Sequence, residues 1–422
     1  MVAHARFEVA RLAGRATRAV VRASGRGQGG SLPGRVALAA DPEFITHAST
    51  SIDHPIIVTG TNGKTTTTAF VREFLKVLGP TVANEGANMS GGIAGSLLDV
   101  GRDPCYGVFE VDESYVARVG HALGASTVVV LNLSRDQLDR SAEVRVIADR
   151  IALAAKDADI GIANADDPMA VWAIRDFRLR ITVAGTDTPW ILDAGSCPNC
   201  GNEVVWNDRS WACRCGFARP RPDYWITPDN EVVCVDGSRT FLDAKIPGEF
   251  NTFNAAVAYA TVRETLGVSL GAVSPGGLSL GGRFGVWKLT RVWGRPAIKT
   301  YLAKNPAGWH AIFDVLDDDR AKVVILGLND RVADGRDTSW IWDVDFERLK
   351  GKEVIVTGER AEDMALRCET AGLLVVVEPD QSRAVRKATH LDKTISYLGN
   401  YTAFGDLMRQ GKPLGALRLP GG

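Results

Sequence analysis

The stretch Pro55-Ile56-Ile57-Val58-Thr59-Gly60-Thr61-Asn62-Gly63-Lys64-Thr65-Thr66-Thr67-Thr68 decides how the rest of the chain is read. A β-branched run that ends in glycine, then lysine, then hydroxyls, predicts a buried strand delivering a phosphate-cradling loop to the start of a helix. Gly60 and Gly63 let backbone N–H groups approach an anion, with Thr61 and Asn62 between them. Lys64 brings a point charge to the outer phosphates of a nucleotide, and the hydroxyls of Thr65 and Thr66 open the helix, Thr65 as a ligand for Mg²⁺. The common P-loop would put its first glycine at Val58, so this is a shortened version. A bland Gly-Thr turn before an ordinary helix is the competing reading. Strand, glycines, lysine, hydroxyls and the run Ala69 to Leu75 all agree against it.

Outward from the loop, short apolar strands alternate with helices, the pattern of a doubly wound parallel sheet. Thr81-Val82-Ala83, Tyr106 to Val111, Ser126 to Leu131 and Ile160 to Ala163 are the strands, each ending in polar residues. Ligands collect at the carboxyl ends of such strands, so Asn84, Asn88, Glu110, Asp112, Glu113, Asn132 and Asp136 are expected around the phosphates. Glu110 ends its strand and is the expected protein carboxylate for Mg²⁺, while Asp112 or Glu113 is as suited to capping a helix.

Length and composition bound the rest. The chain has 422 residues, 45% of them apolar, enough for two or three domains with real cores. A net charge of -1 gives no global case for nucleic acid. The first 40 residues are basic, with Arg6, Arg11, Arg15, Arg18, Arg22, Arg26 and Arg35 against Glu8. They read as a helix with a solvated face, or as one drawn to an anionic membrane surface or a polyphosphate. No apolar run spans a bilayer and no secretory signal is present, so the expected compartment is the cytosol.

Seven cysteines are an odd number, which argues against a disulfide framework. Cys197-Pro198-Asn199-Cys200 and Cys213-Arg214-Cys215 have the spacing of two thiolate hairpins that close a tetrahedral, structural Zn²⁺ site. Cys105, Cys234 and Cys368 read as small core residues. Further on, Asn251 and Asn254 in Gly248 to Ala258 can cap an Ala-rich helix or read a base edge. Gly281 to Gly285 marks a hinge to a last α/β domain with strands at Val323 to Leu326, Val354 to Val356 and Leu373 to Val377. The long acidic and aromatic loop Leu328 to Phe346 lies between the first two.

Together these motifs resemble the Mur ligase family of ATP-dependent amide-forming enzymes. The residues that carry the resemblance are the loop Gly60 to Thr66, Glu110 to Glu113, Asn132 to Arg140, Asn164 to Asp167, Asn251 to Asn254, Gly282-Arg283-Phe284 and Ala303 to Pro306. They run through most of the chain in the family's order. The resemblance implies a central P-loop ATPase domain over residues 46–284, with a zinc-ribbon insertion at about 190–225. A basic segment, 1–45, precedes it, and a smaller Rossmann-like α/β domain, 285–422, comes after it. It adds Arg283 to the ATP-binding residues, beside Asn251 and Asn254. Several departures narrow the match: Gln137 where relatives carry a metal-binding His, Ile151 to Leu153 where many carry a carbamylated lysine, Lys304 in place of the His before Asn-Pro, and Gly285 in place of the acid after Gly-Arg-Phe.

The cysteine insert, the Asp334 to Asp343 loop and the ending Tyr401 to Phe404 look like the branch of the family that works as a synthetase subunit with a glutaminase partner. That likeness implies amidation of the α-carboxylate of D-glutamate in the lipid II stem peptide at the membrane surface, through an acyl phosphate that Lys64 helps to form. It also implies that Asp343, with Asp345 as the second candidate, completes the glutaminase's Cys-His pair. The Trp340-Ile341-Trp342 flank suits a partner contact, and a helix cap at Val344 is the competing role for Asp343. Two other functions compete: a ligase adding an amino acid to a peptidoglycan precursor or folate-like acceptor, and a zinc-ribbon nucleic-acid binder.

Overall fold

The computed structural model describes residues 2–24, 31–84, 86–101, 103–136, 143–186, 189–242, 246, 248–268, 270, 284–292, 294, 296–317, 321–392 and 394–415. They fall into two compact units. The first takes residues 1–134, 143–244 and 249–276; the second gathers three separate stretches, 135–142, 245–248 and 277–422.

The first unit is built on a nine-stranded sheet. Its strands are β1 (Ile52–Thr59), β2 (Thr81–Ala83), β3 (Cys105–Glu110), β4 (Thr127–Val130), β5 (Ile160–Asn164) and β6 (Leu179–Ala184), with β9 (Tyr224–Ile226), β10 (Glu231–Cys234) and β11 (Arg239–Phe241). The hairpin β7 (Val205–Asn207) and β8 (Ser210–Ala212) is separate. The sheet order is β11-β10-β9-β6-β5-β4-β1-β3-β2. From β2 to β9 neighbouring strands are parallel, and β10 and β11 close the far edge antiparallel. The chain passes from β3 to β4 across β1, so a switch point opens at the carboxyl end of β1. Strands covered on both faces read as continuous apolar runs, and Ile56, Ile57 and Val58 are fully buried here.

Helices α1 (Val2–Ala23), α2 (Leu32–Ala40), α3 (Phe44–Ala48), α4 (Lys64–Leu78), α5 (Ser90–Leu97), α6 (Val116–Leu123), α7 (Val144–Ala152), α8 (Pro168–Ala173) and α9 (Glu249–Leu266) belong to this unit. The basic amino-terminal residues are therefore folded into it. Ala10, Ala37 and Phe44 lie in its core, and Phe7 stacks on Phe44 with ring centroids 5.2 Å apart. The glycine turn at 25–30 falls outside the described residues.

The second unit has a seven-stranded sheet made of β12 (Phe284–Lys288), β13 (Ala297–Leu302), β14 (Val323–Gly327), β15 (Glu353–Thr357), β16 (Val375–Val377), β17 (Ile395–Gly399) and β18 (Lys412–Gly415). The order is β16-β15-β14-β17-β13-β12-β18, parallel from β16 to β13 and antiparallel at β12 and β18. Helices α10 (Pro306–Asp317), α11 (Ala361–Thr370), α12 (Gln381–Leu391) and α13 (Tyr401–Met408) complete it. Both units thus have the α/β architecture expected, the second the smaller. Leu373 and Leu374 lie before β16, which holds only the three valines of the expected strand.

Candidate functional site

The loop after β1 is held from several sides. Gly60 has φ +131° and Gly63 φ +86°, in the region that L side chains rarely adopt. A Cβ at 63 would also sit 2.7 Å from the Asn254 Oδ1, and one at 60 would sit 2.9 Å from the Asn132 carbonyl oxygen. The two glycines are therefore required by space as well as by conformation. Asn132, just past β4, grips the loop with both ends of its carboxamide: Oδ1 accepts from the Asn62 N–H at 2.9 Å and Nδ2 donates to the Asn62 carbonyl at 3.0 Å. The Thr61 N–H donates to the Asn132 carbonyl, and the Thr61 hydroxyl donates to the Ser134 carbonyl while accepting from its N–H. Asp167 in turn accepts from the Leu133 N–H at 2.7 Å and caps α8 through Met169 and Ala170, with burial pushing its carboxyl up to about 6 against those three N–H groups.

Lys64 begins α4 with its ammonium buried. It donates to the Gly60 carbonyl and pairs with the Glu113 carboxylate at 3.0 Å. The Thr65 hydroxyl donates to Glu110 Oε2 at 2.6 Å, and Glu110 is only 5% exposed. Asn84 fixes the Glu110 backbone from both sides, accepting from its N–H and donating to its carbonyl, each at 2.8 Å. Thr66 is buried on the same helical turn. Gly60, Thr61, Asn62, Gly63, Lys64, Thr65, Thr66 and Glu110 are thus brought together at one switch point. Of the two acids beside them, Asp112 caps the short turn at Ser114, whereas Glu113 holds the lysine.

Helix α9 starts at Glu249, so Asn251 and Asn254 lie inside its first turns rather than at a cap. Asn254 backs onto Gly63, while Asn251 is fully enclosed and shows no surface to a base edge. Arg283 and Gln137 fall outside the described residues.

The four clustered cysteines also come together, with their sulfur atoms within 4.8 Å of one another. Cys197 and Cys213 are buried, Cys200 and Cys215 exposed. Cys197 Sγ is 3.8 Å from Cys215 Sγ, and Cys200 Sγ is 3.5 Å from Cys213 Sγ. The carboxamides of Asn199 and Asn202 donate to Cys215 and Cys200, and the backbone and side-chain N–H groups of Asn202 hold the Cys200 thiol down at about 6. Those donors favour thiolate at Cys200 and Cys215, the form that binds a borderline cation, while burial raises the Cys197 thiol and Cys213 is pushed up to about 12. The anchoring of this hairpin has no local signature in the chain. Asp166, 6% exposed, takes Arg209 at 2.9 Å and Arg219 at 2.7 Å, and Trp211 donates to the Ala165 carbonyl.

In the second unit, Asn400 repeats the grip of Asn132. Its Oδ1 accepts from the Asn329 N–H at 3.1 Å and its Nδ2 donates to the Asn329 carbonyl at 2.6 Å. Asp334 then binds the N–H and hydroxyl of Thr402, with burial raising its carboxyl. Asp343 ends a short 3-10 turn, Ser339–Asp343, half-buried, and its carboxylate pairs with Arg135 at 3.1 Å. No helix begins at Val344, so the capping role falls away; the next turn starts at Phe346 and Asp345 gives it no side-chain cap. Asp345 faces Glu347 instead, and burial with that neighbour raises its carboxyl. The aromatic flank divides. Trp340 and Ile341 turn inward, Trp340 against Trp309 at 6.2 Å, and Trp342 alone of the three is exposed, at 51%. Lys304 pairs with Asp136.

Comparisons with known proteins agree with this geometry. Residues 58–192 match the Mur ligase middle domain, which places the loop and its sheet in that class of ATP-dependent ligase. A pseudomurein peptide ligase type C from Methanothermus fervidus superposes with a TM-score of 0.66 at 18% identity, covering 87% of this chain and 80% of that one. MurF from Thermotoga maritima, solved in complex with ADP, gives 0.63 at 17% identity over 89% of this chain and 83% of that one. At such identities they speak for the fold. Residues 302–404 match the MurT ligase C-terminal model. The lipid II isoglutaminyl synthase (glutamine-hydrolyzing) subunit MurT of Staphylococcus aureus is 32% identical over 96% of each chain, and that of Streptococcus pneumoniae 31% identical over 86% of each. The chain therefore belongs to the MurT family. Its relatives are subunits, so a partner chain is expected.

Proposed function

We propose that this chain is the synthetase subunit that amidates the α-carboxylate of D-glutamate at position two of the lipid II stem peptide, with ammonia from a glutaminase subunit of the GatD type. A carboxylate resists attack by ammonia because its charge repels the nucleophile and oxide is no leaving group. Phosphorylation removes both obstacles: a carboxylate oxygen bonds the γ-phosphorus as ADP departs, ammonia then bonds the carbonyl carbon, and phosphate leaves with the C–O bond broken. The nitrogen loses a proton in that second step.

The observation that carries the reading is the first turn of α4, where the Lys64 ammonium and the Thr65 hydroxyl meet Glu113 and Glu110 at 3.0 and 2.6 Å beneath a loop with two positive-φ glycines. The Lys64 ammonium at the start of a helix stabilises the phosphoryl group in transit by position and electrostatics. The residues fit Mg²⁺: a hydroxyl and a carboxylate oxygen already adjacent are hard donors of the type it takes. When bound, Mg²⁺ neutralises charge on the outer phosphates. Lys64 would exchange Glu113 and the Gly60 carbonyl for phosphate oxygens, and Asn132 and Asn254 would keep the loop in register. On this reading the first unit carries the phosphoryl chemistry and the second receives the glutaminase at Asp343.

The cysteine cluster supports structural Zn²⁺: four sulfurs at mutual distances suited to one tetrahedral ion, with two carboxamide donors to sulfur. No helix among the described residues is long and apolar enough to cross a membrane, so a peripheral encounter with lipid II at the inner face fits the reading. The direct test is the product. Incubation with lipid II, ATP, Mg²⁺ and ammonium should give the mass change of an acid becoming an amide, with one ADP released per amide; ADP release without that change would defeat the assignment.

A further inference from the structure

Helix α1 has two apolar faces, and the fold uses one. Phe7, Ala10 and Gly14 point inward, so close to the core that a Cβ on Gly14 would sit 2.5 Å from the Leu98 side chain. Roughly half a turn around lie Ala5, Val9, Leu12, Ala16, Val20 and Ala23, an unbroken stripe at the steps of four and three that mark one helix face. All six are exposed, Val9 at 62%, Leu12 at 61% and Val20 at 68%. No charged residue interrupts them. An uncharged outer stripe on a surface helix is a cost in water unless something covers it.

The charges beside the stripe say what covers it. Helix α1 carries Arg6, Arg11, Arg15, Arg18 and Arg22 against Glu8. Arg15 and Arg18 converge on Asp99, Arg11 pairs with Glu8, and Arg6 donates to the Ala40 carbonyl. Arg22 and, on α2, Arg35 are exposed with no partner among the described residues. Leu32, close to Arg35 in the sequence, is 49% exposed. An apolar stripe edged by a net excess of guanidinium groups is complementary to a negatively charged lipid surface: the stripe enters the headgroup boundary and the arginines meet phosphates.

We propose that the outer face of α1 docks this chain on an anionic phospholipid surface. The docking depends on α1 and its arginines and is independent of the amidation assigned above. Its test therefore uses the full chain and vesicles without lipid II. In low salt the protein should co-sediment with vesicles of equal parts phosphatidylcholine and phosphatidylglycerol, and should stay in solution with phosphatidylcholine alone. Leu12→Asp with Val20→Asp should lower the bound fraction roughly tenfold, and Arg22→Glu roughly fivefold. Both chains should keep the wild-type melting temperature, since these side chains are exposed. Failure of the wild type to sediment with phosphatidylglycerol, or equal binding by the double variant, overturns the proposal. So does a concentration-dependent dimer, or a complex with the partner subunit, that the double substitution abolishes, because the stripe would then belong to a protein.

Discussion

The two sheets end in the same grip and hold different things with it. In the first unit Asn132 takes the N–H and carbonyl of Asn62; in the second Asn400 takes those of Asn329. The residues around each gripped asparagine differ. Asn62 lies between Gly60 and Gly63, both at positive φ, ahead of a buried lysine. Asn329 leads into a loop whose polar groups are already spoken for: Asp334 holds Thr402, and Arg331 holds Glu359 at 2.7 Å and Asp406 at 2.9 Å. An open cleft of about 340 Å³ remains there, with Arg331, Glu359 and Asp406 on its wall. The asparagine grip is thus a way of joining crossing loops at the end of a parallel sheet. The glycines and the lysine are what suit one of the two to the phosphate role proposed above.

That contrast can be broken most severely at Asp343. Asp343→Asn in the complex with the glutaminase should lower glutamine-driven amidation on the order of 10³–10⁴-fold, as loss of the acid behind a catalytic histidine does. Amidation driven by free ammonium should keep its rate. Equal loss of both would move Asp343 into the synthetase site or the fold. Lys64→Ala is the complementary cut: both ammonia sources should fail together, by roughly 10²–10³-fold, with a lower melting temperature because Glu113 loses its buried partner. Unchanged ADP release in the presence of acceptor would remove Lys64 from the phosphoryl step.

The grips themselves give a smaller, sharper pair. Asn132→Ala and Asn400→Ala each leave a backbone N–H and a carbonyl without their partner, which costs about 1–3 kcal/mol. Denaturant unfolding should show similar losses for the two. Nucleotide titration should separate them, with ATP binding weakened roughly tenfold by Asn132→Ala and unmoved by Asn400→Ala. An equal effect on ATP would mean that the two poles are not independent. Least of all should the chemistry feel Cys213→Ser, which serves as a cut at neither pole. Elemental analysis should show zinc falling from about one per chain to none, with a lower melting temperature, because a closed thiolate site contributes folding energy directly. A wild-type chain purified without chelator and free of zinc would rule the metal out.

Sequence makes the first pole readable because its chemistry is local. Gly60 to Thr66 are consecutive, and Cys197, Cys200, Cys213 and Cys215 are close in the chain. Asn132 is expected near the phosphates, but its two-handed contact with Asn62 depends on strand order, which no local pattern encodes. Glu113 is visible as an acid near the loop; that it rather than Asp112 holds Lys64 depends on a turn begun by Asp112. Strands β9 to β11 are not legible because they are three or four residues long, too short for a period of two to stand out in the chain. Trp340-Ile341-Trp342 reads as one aromatic surface in the chain, yet a 3-10 turn points the first two inward and the third out. The role proposed for Asp343 toward a partner's histidine rests on family likeness alone, since a half-buried carboxylate paired with an arginine is chemically ordinary.

The second unit's assembly from three stretches has a consequence for how such proteins can be cut and recombined. A fragment opening at residue 277 would contain Asp343 and Lys304 but not Arg135 and Asp136, their ionic partners, which the chain delivers some 140 residues earlier. A cut at 277 therefore separates both pairs, and a fragment meant to keep them must carry the short stretch at 135–136 along with the distant half.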